Sequence, residues 1–430
     1  MKRRLFFFCA LFMVAGILAG AFVKEFSPLF LCPLVLIPFV LLKKQLKIAV
    51  VIVLFVLSFV NTSCGYKEID TEIPSASISG VVSDVCGGEN KSFIISSANV
   101  IAPDGIVLTL DNVFVGFSGE ELPKPGDTVH IRSTLYPYAS TAKNEGEIST
   151  HAQAIADNIF FRAYSTNFVK LYSKTTPQTI IYSLKGIIFD KIFSSTKNKE
   201  AAGILYAFLT GDRAYISTET FTSFKAAGTS HILALSGLHT GIIILILSRL
   251  LDLFKSSKTL KLFIIGTFLI LFCVFTGFSP SIIRACIMAC VMLFCQAAGF
   301  RYDLLNSLLL SACIILLFNP YRLFDISFLL SFSAVLGIAC LPNIKIKNRL
   351  LAKIYSALSV TIGATVFTMP LSFYYFSSVS YVSVLFNLIM VPVASLALFL
   401  LVIFIFLPPQ LLSIPIFLIE ILLRIAKYAT

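Results

Sequence analysis

The sequence predicts a polytopic α-helical membrane protein with one inserted all-β domain. Three observations predict it. Hydrophobic residues make up 57% of the 430 residues and charged residues 13%, where soluble domains carry about 25% charge. The apolar residues gather into runs that match spans of about 20 residues. One polar stretch, residues 66–165, divides those runs. It holds 13 acidic and 6 basic residues and nets −7, so the rest of the chain nets +19. Such a composition excludes a disordered chain, a disulfide-rich secreted scaffold and an ordinary cytosolic enzyme. The basic charge belongs to the membrane part, where it reports cytoplasmic loops beside anionic lipid. A polyanionic cargo is the other source of such a bias.

The N-terminus opens with Lys2, Arg3 and Arg4 before an apolar run, 5–23. A second run, 29–42, follows directly, so the first reads as a span rather than as a cleaved signal peptide. Lys43, Lys44 and Lys47 precede a third run, 48–63. The positive-inside rule puts the N-terminus and 43–47 in the cytoplasm, which leaves residues 66–165 extracytoplasmic.

Within that stretch, β-type runs alternate with turn signals. The runs are Ala76–Val82, Ser92–Ser96, Ile106–Leu110, Val113–Phe117 and Thr128–Thr134. The turns include Pro103-Asp104-Gly105 and Pro123-Lys124-Pro125-Gly126-Asp127. This spacing predicts five or six strands in a small sandwich or barrel. Phe93, Phe114, Phe117 and Tyr136 read as its core. With a net charge of −7 the domain is expected to bind DNA weakly on its own, because single-strand grooves need positive charge.

Residues 166–230 read as amphipathic, interfacial helices. Over Thr179–Phe193 the residues Ile180, Ile181, Leu184, Ile187 and Ile188 share one face. A second helix is expected over Lys199–Leu209, ended by Thr210-Gly211-Asp212-Arg213, and Ser217 or Thr218 caps a third.

From His231 the chain is membrane-type. Expected spans are 231–250, 262–276, 281–298, 304–319, 325–341, 354–376, 381–407 and 411–426, for a total of about eleven. Gly277, Pro280, Pro320, Pro370 and Pro392 interrupt them. Broken helices at membrane depth must line protein or water.

Several residues stand out. His231 and His239 are two turns apart and are expected on one side of a helix, with Ser236, Gly237, Thr240 and Gly241 making that side small and polar. A wet pore wall and a close helix crossing both fit. Arg284 is the sole charge of its span, an expensive placement that marks function unless it snorkels to the outer interface. Ser279 and Ser281 lie beside it. Asp325 reads as a helix cap or as the partner of Arg284 or Arg322. Ser327, Ser331 and Ser333 suggest a polar stripe, and Asn387 a buried amide.

Of ten cysteines, Cys9, Cys32, Cys273, Cys286, Cys290, Cys295, Cys313 and Cys340 sit in apolar runs as small hydrophobes. Cys64 and Cys86 are placed to form a disulfide if their domain lies outside the cytosol. No CxxC, P-loop or HxHxDH motif occurs, so no metal, cofactor or nucleotide chemistry is expected.

The ordered motifs resemble the ComEC family of competence proteins, inner-membrane channels for DNA uptake in natural transformation. The resemblance rests on Gly211-Asp212-Arg213, then Gly228, His231, Leu233, Ala234, Ser236, Gly237, Leu238, His239 and Gly241. It continues in Thr276, Gly277, Ser281, Arg284 and Ala285, and in Asp325, Phe328, Leu330, Ser331 and Phe332. It covers roughly 200–395 and, more weakly, the N-terminal spans and soluble domain. It implies that the β domain is OB-like, although the family's Asn-Pro-Gly-x-Phe-Asp segment appears here as Asn144-Glu145-Gly146-Glu147-Ile148-Ser149. Many members carry a C-terminal metallo-β-lactamase-like domain. This chain reaches Thr430 without one, so a short form lacking that nuclease activity is expected.

The resemblance implies a channel for single-stranded DNA with His231, Ser236, Gly237, His239, Gly241, Gly277, Ser281, Arg284, Asp325, Ser331 and Asn387 along the path. It implies no catalysis. Implied partners are the bilayer, a DNA receptor, a cytoplasmic helicase and further copies of the chain. The rival readings are a transporter for a small or lipid-linked substrate, and a non-conducting scaffold.

Overall fold

A computed structural model describes Met13–Ala15, Ile17 and Ala154, and residues 72–87, 91–137, 157–341, 348–376 and 383–428. The three expected N-terminal spans lie almost wholly outside these residues. So does Cys64; Cys86 is a free thiol.

Among its described residues the β domain has six strands: β1 (Ile73–Cys86), β2 (Ser92–Ile101), β3 (Val107–Phe117), β4 (Asp127–Pro137), β5 (Ile159–Ser165) and β6 (Val169–Ser173). Ile106–Leu110 and Val113–Phe117, expected as separate strands, form the single β3, because Asp111 and Asn112 continue its pairing with β2. The order β1-β2-β3-β5-β4 closes through an extra β1–β4 pairing, and β3 runs parallel to β5. Closure removes all but one exposed edge, which β6 extends along β4. The sheet therefore continues past residue 165 into the stretch expected to be helical.

Alternating side chains fill the ring. Phe93, Ile95, Val115, Ile131, Leu135 and Phe161 are buried, each worth about 1.5–3 kcal/mol. Phe93 and Phe117 meet edge to face at 5.7 Å. Phe114 and Tyr136 are not core: both are half-exposed. Each pairs in register with Arg162 of β5 and so points to the outer face.

Among the described residues twelve α-helices follow: α1 (Pro177–Ser194), α2 (Lys199–Thr210), α3 (Thr218–Ala226), α4 (Ser230–Leu233), α5 (Gly237–Leu253), α6 (Lys258–Phe275), α7 (Pro280–Ala298), α8 (Leu304–Phe318), α9 (Ile326–Ala339), α10 (Arg349–Phe376), α11 (Ser383–Phe404) and α12 (Ser413–Lys427). The start signals read from the sequence operate locally. Ser217 caps α3 by accepting from Thr220 N–H, and Gly211 ends α2 with φ of 79°.

Interfacial placement does not describe α2. Ala201–Thr210 are all buried, packed against α1, α11 and α12. Small residues make this possible. A Cβ at Gly203 would lie 2.2 Å from the Tyr215 carbonyl oxygen. By contrast, Ile180, Leu184 and Ile187 of α1 are exposed.

By length and composition four described segments can cross a membrane: Lys258–Phe275, Pro280–Ala298, Ser383–Phe404 and Pro409–Lys427; Leu304–Phe318 and Ile326–Ala339 are shorter apolar helices. Gly277, Pro280 and Pro320 fall at helix boundaries, but α10 and α11 run through Pro370 and Pro392. Helices α9 and α10 cross closely, since a Cβ at Gly337 would sit 2.2 Å from the Gly363 carbonyl oxygen.

Candidate functional site

The expected single helix carrying both histidines is broken. His231 lies in the one-turn α4, Ala234 is extended, and α5 starts only at Gly237. Ser236 takes the N-cap position, a role suited to its short polar side chain. Its backbone N–H donates to His239 Nδ1 at 3.2 Å. Nδ1 is thus the acceptor nitrogen and the ring proton sits on Nε2. Ser236 Oγ, 2.9 Å from the same nitrogen, donates to it as well. The serine–histidine contact is therefore a local cap. The other side of the buried His239 ring meets Phe208 of α2 edge-on, with centroids 5.0 Å apart.

His231 is exposed. Arg213 of the 211–213 turn is exposed as well. Gly241 and Gly277 are exposed, and a Cβ at either would meet open space.

Arg284, on α7, is 6% exposed, so it does not snorkel. Its Nη1 donates to the Ser331 carbonyl oxygen of α9. The Ser331 hydroxyl lies 2.7 Å from that of Ser281, which joins α7 to α9 a second time. The guanidinium carbon stands 5.7 Å from the Phe332 ring centroid, a cation–π contact. Its Nε is buried without a hydrogen-bond partner. Among the described residues no carboxylate pairs with Arg284.

Asp325 is not its partner. The Asp325 carboxylate caps α9, accepting from Ser327 N–H at 2.8 Å, and takes Arg322 Nη1 at 3.0 Å. Arg322 in turn reaches Asp157 at 2.6 Å through Nη2. The sequence singled out Arg322 only as an alternative partner and gave Asp157 no role. No local pattern marks a contact that spans 165 residues. The bridge continues into the β domain, because Asn112 Nδ2 donates to the Asp157 carbonyl at 2.9 Å while its Oδ1 accepts from Ser96 Oγ at 2.8 Å.

Asn387, on α11, is 9% exposed, and its Oδ1 has no partner. The structure thus brings Ser236, Gly237, His239, Arg284, Ser281 and Ser331 together, and places Asp325 in a separate ion bridge. No group of three metal-ligating side chains occurs among the described residues.

A family model described as "Competence protein" matches residues 208–430. Three relatives match. One is "ComE operon protein 3" of Bacillus subtilis, 32% identical over 45% of this chain and 25% of its own length. Another is an uncharacterized protein of Aquifex aeolicus, 29% identical over 58% of this chain and 56% of its own. The third is "Recombination protein 2" of Haemophilus influenzae, 27% identical over 52% of this chain and 31% of its own. The matched region therefore spans little more than half of these relatives at most. No solved structure matches.

Proposed function

The chain belongs to the Competence protein family, and from that membership we propose that it takes part in DNA uptake for transformation as an inner-membrane channel for a single strand. Residues 200–430 form the conducting part, within about eleven spans. Residues 66–165 sit outside the cytoplasm as an OB-like domain, a reading supported by the closed β1-β2-β3-β5-β4 order with β3 parallel to β5. The N-terminus is cytoplasmic.

The observation that carries this reading is Arg284. A guanidinium held in a low-dielectric span without a carboxylate is costly, and a passing polyanion supplies the missing charge. Arginine keeps its proton there and forks onto phosphate oxygens. His231 and Arg213, both exposed, add polar surface within the same matched region. A transporter for neutral substrates has no use for an uncompensated cation.

The test is uptake of labelled DNA by a deletion strain complemented with this chain. Restored uptake is expected; uptake that never depended on the gene would refute the channel. For the topology, a cysteine introduced at Lys124 should react with an impermeant reagent in intact spheroplasts. Labelling only after lysis would reverse the orientation.

A further inference from the structure

The mouth of α5 and the Arg284 guanidinium form one continuous group of unsatisfied donors. Most other helices here are capped by a side chain: Thr176, Asn198, Ser217, Ser257, Asp303 and Asp325 each accept from a first-turn N–H. At α5 the Ser236 hydroxyl closes a capping box with His239, which engages the His239 N–H and leaves the two N–H groups before it. The first intrahelical bond is Thr240 N–H to the Ser236 carbonyl. The N–H groups of Gly237 and Leu238 therefore find no acceptor among the described residues.

Against this end lies Arg284. A Cβ built on Gly237 would be 3.1 Å from Arg284 Nη2. Because Cα–Cβ bonds tilt toward the helix N-terminus, a group touching that position sits beside the helix mouth. Of the five guanidinium donors, one is used, by the Ser331 carbonyl. A helix N-terminus carries roughly half a positive charge. Two like-signed groups thus converge in a buried place that holds no counter-charge.

We propose that this is a binding site for one phosphodiester group: the α5 N–H groups take one non-bridging oxygen and Arg284 the other, with glycine required at 237 for the two to approach. The inference rests on the channel reading for its choice of a nucleic-acid phosphate. The anion chemistry itself does not. Helix N-termini and forked guanidinium groups both prefer phosphate geometry. Full occupancy would leave a strand moving through the span with a phosphate-sized resting point.

The test uses the full chain in a phosphate-free maltoside detergent and reads its thermal midpoint. Inorganic phosphate should raise the midpoint, whereas chloride at matched ionic strength should not. Oligothymidylate should do so at lower concentration. Arg284→Gln should weaken the apparent affinity about tenfold or more, the loss expected for a charge-assisted hydrogen bond. If that variant does not fold, Ser236→Asp carries the test. Its carboxylate occupies the helix mouth beside Arg284, so the midpoint should rise without phosphate and stop responding to it. Equal shifts with chloride, or a full phosphate response in either variant, would overturn the site. A response confined to added phosphatidylglycerol would overturn its assignment to a strand. Loss of DNA uptake in Arg284→Gln with an unchanged phosphate response would remove the site and leave the channel. An Arg284-dependent phosphate response in a protein whose deletion leaves uptake intact would keep the site and remove the channel.

Discussion

Arg322 is the residue whose loss should cost the fold most, and the damage should be repairable. Its two contacts are unequal. Asp325 is 1% exposed, whereas the Asp157 side chain is 37% exposed. Removing one partner of a buried pair strands the other charge and costs about 3–5 kcal/mol. Loss of a pair with one exposed partner costs about 1 kcal/mol or less. Arg322→Met should therefore be strongly destabilising, because Asp325 stays buried without its cationic partner. Asp157→Asn should be mild. The double change Arg322→Met/Asp325→Asn should recover most of the loss, since asparagine still caps the Ser327 N–H, a contact worth about 1 kcal/mol. The assay is membrane abundance together with the thermal midpoint of the detergent-solubilised full chain, compared across the three variants. A multi-element membrane protein need not unfold in two states, so the ranking and the recovery are the readout. The reasoning fails if Asp157→Asn is as damaging as Arg322→Met. It also fails if the double variant is no better than the single.

Arg284→Ala should abolish DNA uptake at normal membrane levels, and Arg284→Lys should keep part of it, because lysine retains charge but not the fork; full uptake by the alanine variant would remove Arg284 from the path. Adding Asp325→Ala to Arg284→Ala should give no rescue, since the two residues are not partnered. At Asp127, burial raises the carboxyl, but hydrogen bonds from Lys170, the Lys124 backbone and Ser173 outweigh it and hold the carboxyl below its usual value. A depressed carboxyl stabilises the fold above its unfolded value and loses that contribution as pH falls through the folded one. Acid should therefore loosen β6 from β4 in the wild type and have less effect in Asp127→Asn, as read by hydrogen exchange at Lys170–Ser173. Gly337→Ala should lower the thermal midpoint by the equivalent of about 1–3 kcal/mol, and Gly363→Ala should cost less, because its new methyl would meet chiefly the Leu341 side chain; an unchanged midpoint in Gly337→Ala would show that α9 and α10 separate freely.

Much of the architecture was legible in the sequence, because its signals are local. Apolar run length marked α6, α7 and α11, and the alternation of β4 marked a strand whose one face is buried. Gly211 stopped one helix through its left-handed backbone and Ser217 started the next through its hydroxyl. The same local reasoning fails where a residue has no near partner. It put His231 and His239 on one helix, since spacing alone cannot register that Ser236 turns the chain and caps a new one. It treated α2 as interfacial, because only the neighbours packed on every side make a helix with Lys199 and Glu200 at its start a buried one. It offered Arg284 and Arg322 equally to Asp325. The choice is made by tertiary packing, which sets α9 so that the Asp325 carboxylate meets Arg322 while Arg284 reaches only the Ser331 carbonyl. Sequence determines which charges a span must carry; their distances determine which of them is left without a partner.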